Sequence, residues 1–140
     1  MEAHYRIDVT ISGIRPLLQN AFVQDNSNTA NTVKKGQSYD DLEEAQKRLI
    51  KDSDGRICQP AVHLEGCLVK AATEFKFQGK KTYKDIFKAG IFVEPELIPH
   101  SNPEWKIDKQ RVVVNRAGIL RCRPCLDDWS LQFIILVREE

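Results

Sequence analysis

No stretch of this chain is apolar for long enough to span a bilayer. The amino terminus MEAHYRIDV also lacks the basic head and apolar run of a secretory leader. The expected address is cytoplasmic, in the host cytoplasm for a viral protein, and no membrane is expected among the partners. An excess of charge of one sign is missing too. With 21 basic and 20 acidic residues the net charge is +1, which argues against a protein that coats nucleic acid wholesale and requires any basic site to be local. Cysteine is scarce: the four at 58, 67, 122 and 125 are too few and too unevenly placed for a disulfide framework. They are read as reduced thiols.

What is present is an ordinary globular composition, 41% apolar and 29% charged, in 140 residues. That length fits one domain, residues 1–140, able to bury a core without staples. Only Cys122 and Cys125 have a spacing that would let two sulfurs face one zinc ion or form a redox disulfide. A structural zinc needs two further ligands, and Cys58, Cys67, His63 and His100 form no second close pair. A redox motif should open a helix, whereas "LDDW" leads back into a strand. No metal and no cofactor are expected.

Along the chain, "HYRIDVTIS" alternates Tyr5, Ile7, Val9 and Ile11 against polar neighbours, the period of a half-buried strand. It ends at Gly13, after which Pro16 interrupts regularity while Ile14, Leu17 and Leu18 still require a core. Residues 23–37 have almost no large apolar side chain to offset their ordering entropy, which predicts a mobile loop. Ser38 and Asp41 look like a helix start, with Leu42, Ala45 and Leu49 on one stripe of a short surface helix. The run from Asp52 to Gly55 resembles the head of a calcium loop but lacks the closing glutamate, so it reads as a plain turn.

Pro60 suits the first turn of a helix, and Ala61, Leu64, Leu68, Ala71 and Phe75 recur at helical spacing, which predicts the main core helix. Gly66, Val69 and Ala72, on its other side, are small enough to let it sit close against a sheet. Gly79 breaks the chain, Thr82 caps "YKDIFKA", and Gly90 closes that short helix. Prolines 95, 99 and 103 preclude continuous regular structure before a hairpin, "RVVVN" and "ILRCRP" around a turn at Asn115 to Gly118. "WSLQFIILVRE" follows as a long last strand, apolar on both faces and therefore expected to be central and covered on both sides.

Two places concentrate chemistry. In "FKFQGKKTYKDIFK", Lys76, Lys80, Lys81, Lys84 and Lys88 interleave with Phe75, Phe77, Tyr83 and Phe87, types that suit phosphate contact and base stacking. The bland alternative makes the rings core anchors and the lysines a solvated face. In the hairpin, alternation sets Arg121 and Arg123 opposite Leu120 and Cys122, so the arginines are displayed while the cysteine faces inward. Arg111 and Arg116 extend that patch. Its alternative pairs the arginines with Asp127, Asp128 or Glu94. His63 and Cys67, four apart on the main helix, could share a face as a thiol and its base, but an apolar helix more often holds such residues inertly, so no catalytic set is assigned.

"ISGIRPLLQNAF", "QPAVHLEGCLVKAATEFKFQGKKTYKDIFKAGIFVEP" and "VVVNRAGILRCRPCLDDWSLQFIIL" together resemble a set of phage and prokaryotic proteins that are themselves similar to the RAMP superfamily of CRISPR RNA-binding subunits. The resemblance implies an α+β fold: a ferredoxin-like or RRM-like antiparallel sheet with one main core helix and a long irregular insertion. It carries over Arg121 and Arg123 of the "R-x-R-P" strand and Lys80 and Lys81 of "GKKTYKD". Such proteins continue past the last strand into a further helix and strand with a glycine-rich loop, for which this sequence shows no counterpart. The expected function, from the residues and the resemblance together, is non-catalytic binding of single-stranded nucleic acid, RNA ahead of DNA, through Lys80, Lys81, Lys84, Arg116, Arg121 and Arg123, with Phe77 or Tyr83 as stacking platform. A protein-interaction module that occupies a CRISPR-type effector complex is the alternative. A homo-oligomer is expected, because the last strand needs an edge partner and a second copy can supply it.

Overall fold

The computed structural model describes residues 5–22 and 40–138. The loop expected at 23–37 lies outside them. The chain forms a mixed α+β fold in which every strand pairing is antiparallel. Its strands are β1 (Tyr5–Ser12), β2 (Leu17–Leu18), β3 (Cys58–Pro60), β4 (Lys76–Gln78), β5 (Lys81–Thr82), β6 (Ile91–Glu94), β7 (Leu97–Pro99), β8 (Lys106–Val114), β9 (Ala117–Leu126) and β10 (Ser130–Val137). Its helices are α1 (Asp41–Lys47), α2 (Ala61–Ala71), extended by a short tight turn, and α3 (Lys84–Gly90).

The central sheet has the order β1-β10-β6. Since β10 runs antiparallel to both neighbours, β1 and β6 are parallel, with α2 on the connection between them: a βαβ unit split by a later strand. Alternation puts Val9, Ile11, Leu131, Phe133, Ile135 and Val93 into one core with Ala61, Leu64 and Leu68 of α2. The outer edge of β6 is tied to the helix, because Glu65 Oε1 accepts from the Val93 N–H at 2.9 Å.

This arrangement confirms that the last strand is central and corrects what was expected beside it. β1 lines one edge of β10 from end to end, and on the other β6 pairs with Ile134–Val137 while a bridge from His100 to Leu131 continues beyond it, so no full edge is left for a second copy. The sequence showed the two-sided apolar pattern, but not that residues 91–94, set between Gly90 and Pro95, would supply the missing neighbour. Its second face is less covered than expected, with Ile134 and Leu136 half-buried.

A second sheet, β2-β9-β8, is built on the predicted hairpin, which is longer than its apolar core implied and begins at Lys106. Its turn residues Asn115 and Arg116 both have positive φ (50° and 64°), the backbone that matches the twist of a tight two-residue hairpin. Leu49, Ile57 and Leu126 form its core with Leu17 and Trp105, and Trp129 packs against both cores. Gln19, buried behind β2, donates to Cys58 O at 2.9 Å and accepts from Ile50 N–H at 3.0 Å, tying β2 to the paired segments at 50–51 and 57–58.

Several local expectations shift. The cap of α1 is Asp40, whose carboxylate accepts from the N–H groups of Leu42 and Glu43. Helix α2 stops at Ala71, so Phe75 lies outside it and exposed rather than on the core stripe. Gly66 faces open space instead of the sheet, and Ile14 is fully exposed.

Candidate nucleic-acid interface

The basic and aromatic segment folds as one unit at the end of α2. β4 and β5 make a small hairpin across Gly79 and Lys80, where Gly79 takes the left-handed φ of +54° that a side chain would strain. The Tyr83 N–H then returns to Phe75 O at 3.0 Å and starts α3, with Thr82 Oγ1 reaching only 3.5 Å from the Lys84 N–H. That return sets three rings in a row. Phe77 and Tyr83 meet edge to face at 5.3 Å between centroids, and Tyr83 and Phe87 at 6.4 Å.

Phe77 is 46% exposed, so it is no core anchor. Lys76, Lys80, Lys81, Lys84 and Lys88 are all exposed, and none forms an ion pair with a described carboxylate. Five cations without an ion pair among the described residues, set around exposed ring surface, suit an anionic backbone carrying flat bases.

The hairpin arginines are placed differently. Arg121 lies against Glu44 of α1 at 3.6 Å, and Arg123 donates to Asp108 across the β8–β9 ladder at 3.1 Å. Both are only partly exposed, and the Nε of Arg123 is buried without a partner among the described residues. They do share one face of β9, as alternation required, but that face is occupied. Sequence reasoning foresaw pairing as an alternative and named the wrong acids: Asp127 pairs instead with Lys106 at 2.7 Å. Glu44 was missed because its signal, a glutamate four residues before Arg48, announces only a local helix pair.

Arg116 is exposed at the hairpin tip and forms no ion pair among the described residues. Arg111 lies beside Gly118, where a Cβ would meet its guanidinium at 2.9 Å. The lysine unit rests on α2, while the hairpin rests on α1 and β2. The two predicted clusters are therefore carried by different supports.

Cys122 and Cys125 are buried in β9 and Cys58 in β3, leaving Cys67 exposed. Burial, reinforced by Asp41 and Glu44, pushes the Cys122 thiol up to about 11. Burial likewise raises Cys58 and Cys125, so all three are protonated thiols at neutral pH. Among the described residues no three His, Cys, Asp or Glu side chains converge as a metal site. His63 is exposed, with Nδ1 held by the Gln59 amide at 2.6 Å, and no helix of the described residues is long and apolar enough to cross a membrane. Comparison with protein-family models, with curated proteins and with solved structures finds no match for this chain.

Proposed function

We propose that the protein binds single-stranded nucleic acid, RNA ahead of DNA, along its backbone and without catalysis. Lys80, Lys81 and Lys84 are the phosphate contacts, Lys76 and Lys88 extend them, and Phe77 with Tyr83 forms the stacking platform. One observation carries the reading: five exposed lysines with no ion pair among the described residues surround a row of edge-to-face rings. In this reading Arg121 and Arg123 become scaffold, and Arg116 is the one hairpin cation left for phosphate.

The preference for RNA rests on the RAMP-like resemblance and on a ferredoxin-like reading of the central sheet. What supports the latter is the element order β1, α2, β6, β10 with β10 between the two parallel strands. Self-association, in this reading, moves from β10 to the outer edge of β1, which no described strand covers. The second reading, a module that docks on a CRISPR-type effector complex, draws on a different observation. The hairpin exposes Val113, Leu120 and Ile107 on one face, interspersed with exposed Lys109 and Arg111, a mixed apolar and basic surface that suits a protein partner.

The test is anisotropy of a labelled oligouridylate, and of its DNA counterpart, titrated with protein across a salt series. Replacing Lys80, Lys81 and Lys84 together by alanine should weaken binding and flatten the slope of log K against log salt by about 2, the share of three phosphates on a single strand. Replacing Arg121 and Arg123 by alanine should lower stability and leave that slope unchanged. Wild-type affinity and slope in the lysine variant would overturn the assignment.

A further inference from the structure

A cleft of about 490 Å³ opens between the turn at 51–57 and the segment at 100–105, apart from the lysine unit. Its volume is that of a small-molecule site. The apolar wall is formed by Leu49, Ile57 and Trp105, of which Leu49 and Ile57 are buried and Trp105 packs against them half-exposed. Lys51 and Arg56 also line it. Arg56 is engaged, with its Nε 2.8 Å from Asp52 and a guanidinium nitrogen 3.8 Å from Asp54. Lys51 has no ion pair among the described residues, so the cleft keeps one uncompensated cation.

The sixth group is the informative one. His100 lines the cleft, is 7% exposed, and is anchored through its backbone N–H to Ile57 O at 2.9 Å. Both its ring nitrogens are buried, and neither has a hydrogen-bond partner among the described residues. A buried polar group left unsatisfied costs about 1–3 kcal/mol, and native proteins keep few of them without a reason such as a ligand. Burial also lowers the affinity of this ring for a second proton, so at neutral pH it offers one donor and one acceptor. The terminal torsion of histidine is soft, so a nitrogen can turn to meet an occupant.

These features exclude simple occupants. An aliphatic ligand would fill the apolar wall and leave the imidazole unsatisfied, whereas a bare anion would use Lys51 and waste the wall. We propose that this cleft binds a mononucleotide, with the base against Trp105, Leu49 and Ile57, a donor or acceptor on the base edge satisfying His100, and the phosphate toward Lys51. This site is separate from the lysine unit and does not depend on the reading given to that unit.

The experiment is calorimetric titration of the full chain with AMP, UMP, adenosine, ribose 5-phosphate and inorganic phosphate. Nucleotides should bind, adenosine should bind about tenfold more weakly for want of the Lys51 contact, and the two base-free phosphates should not bind. Lys51→Ala should erase the difference between AMP and adenosine, and His100→Phe should lose at least about tenfold for both. Should His100→Phe fail to fold, Trp105→Ala provides the same reading of the base contact. The lysine triple variant should bind AMP normally, which keeps this result independent of oligonucleotide binding. No nucleotide binding at millimolar concentration, or equal binding of AMP and ribose 5-phosphate, would overturn the proposal.

Discussion

Glu44 is the point at which the structure makes its sharpest energetic claim. Oε1 lies 3.2 Å from an Arg48 guanidinium nitrogen and 3.6 Å from one of Arg121, while Oε2 accepts from the Cys122 N–H at 3.2 Å. The side chains are 14%, 11% and 22% exposed for Glu44, Arg48 and Arg121, so water can replace little of what is lost. Glu44→Ala leaves two largely buried guanidinium groups without their anion and one strand N–H without an acceptor. A charge-assisted hydrogen bond contributes about 1.5–3 kcal/mol and an orphaned buried N–H costs about 1–3 kcal/mol, and partial rehydration trims their sum to ~3 kcal/mol. For a chain of 140 residues that is a fall of roughly 10 °C in Tm. Glu44→Gln retains an acceptor for the Cys122 N–H and loses only the charge, so it should fall about half as far. Circular dichroism melts at neutral pH read both. An alanine variant within about 2 °C of wild type would refute the reasoning and return Arg121 to the pool of cations free for phosphate.

Other consequences are as direct. A chromogenic thiol reagent at neutral pH should titrate one cysteine quickly, Cys67, and reach the other three only on unfolding; two or more fast thiols would contradict the buried assignment. Because the folded state raises Cys122 from 9.0 to about 11, its share of stability is intact below pH 9 and is lost as pH rises through 11. Cys122→Ala should flatten that alkaline limb of the stability profile. Gly13→Ala would drive a Cβ into the Trp129 indole, whose N–H donates to Arg15 O at 2.8 Å. The urea midpoint should report a loss of about 2–4 kcal/mol, and a wild-type midpoint would show that the indole can move aside.

How much of this was legible follows the range of each interaction. The alternation of β1, the helical spacing of α2 up to Ala71 and the hairpin turn at Asn115 are set by neighbours in sequence, and all three are found where the pattern placed them. Pairings between distant segments were not legible. Nothing local marks Ile91–Glu94 as the strand beside β10, since four residues between a glycine and a proline carry too little periodicity. The small β4–β5 hairpin escaped for a related reason, because all three β4 residues are exposed and no buried face stamps an alternation on it.

The two cation clusters separate along the same line. Lysine and aromatic side chains crowd the stretch from 75 to 88, so their meeting requires only a turn at Gly79, and the sequence could display it. Whether an arginine is free depends on which acid the fold carries to it. Asp108 faces Arg123 only once the ladder from Lys106 to Cys125 sets its register, and Glu44 reaches Arg121 only once α1 docks on β9. An exposed lysine between acids would have had the same ambiguity. Lys80, Lys81 and Lys84 escape it because their unit sits at the end of α2, away from the α1–hairpin contact that compensates the arginines. Whether a cation stays uncompensated is therefore a property of the tertiary neighbourhood, which engages Arg121 and Arg123 and leaves these lysines without an ion pair to a described carboxylate.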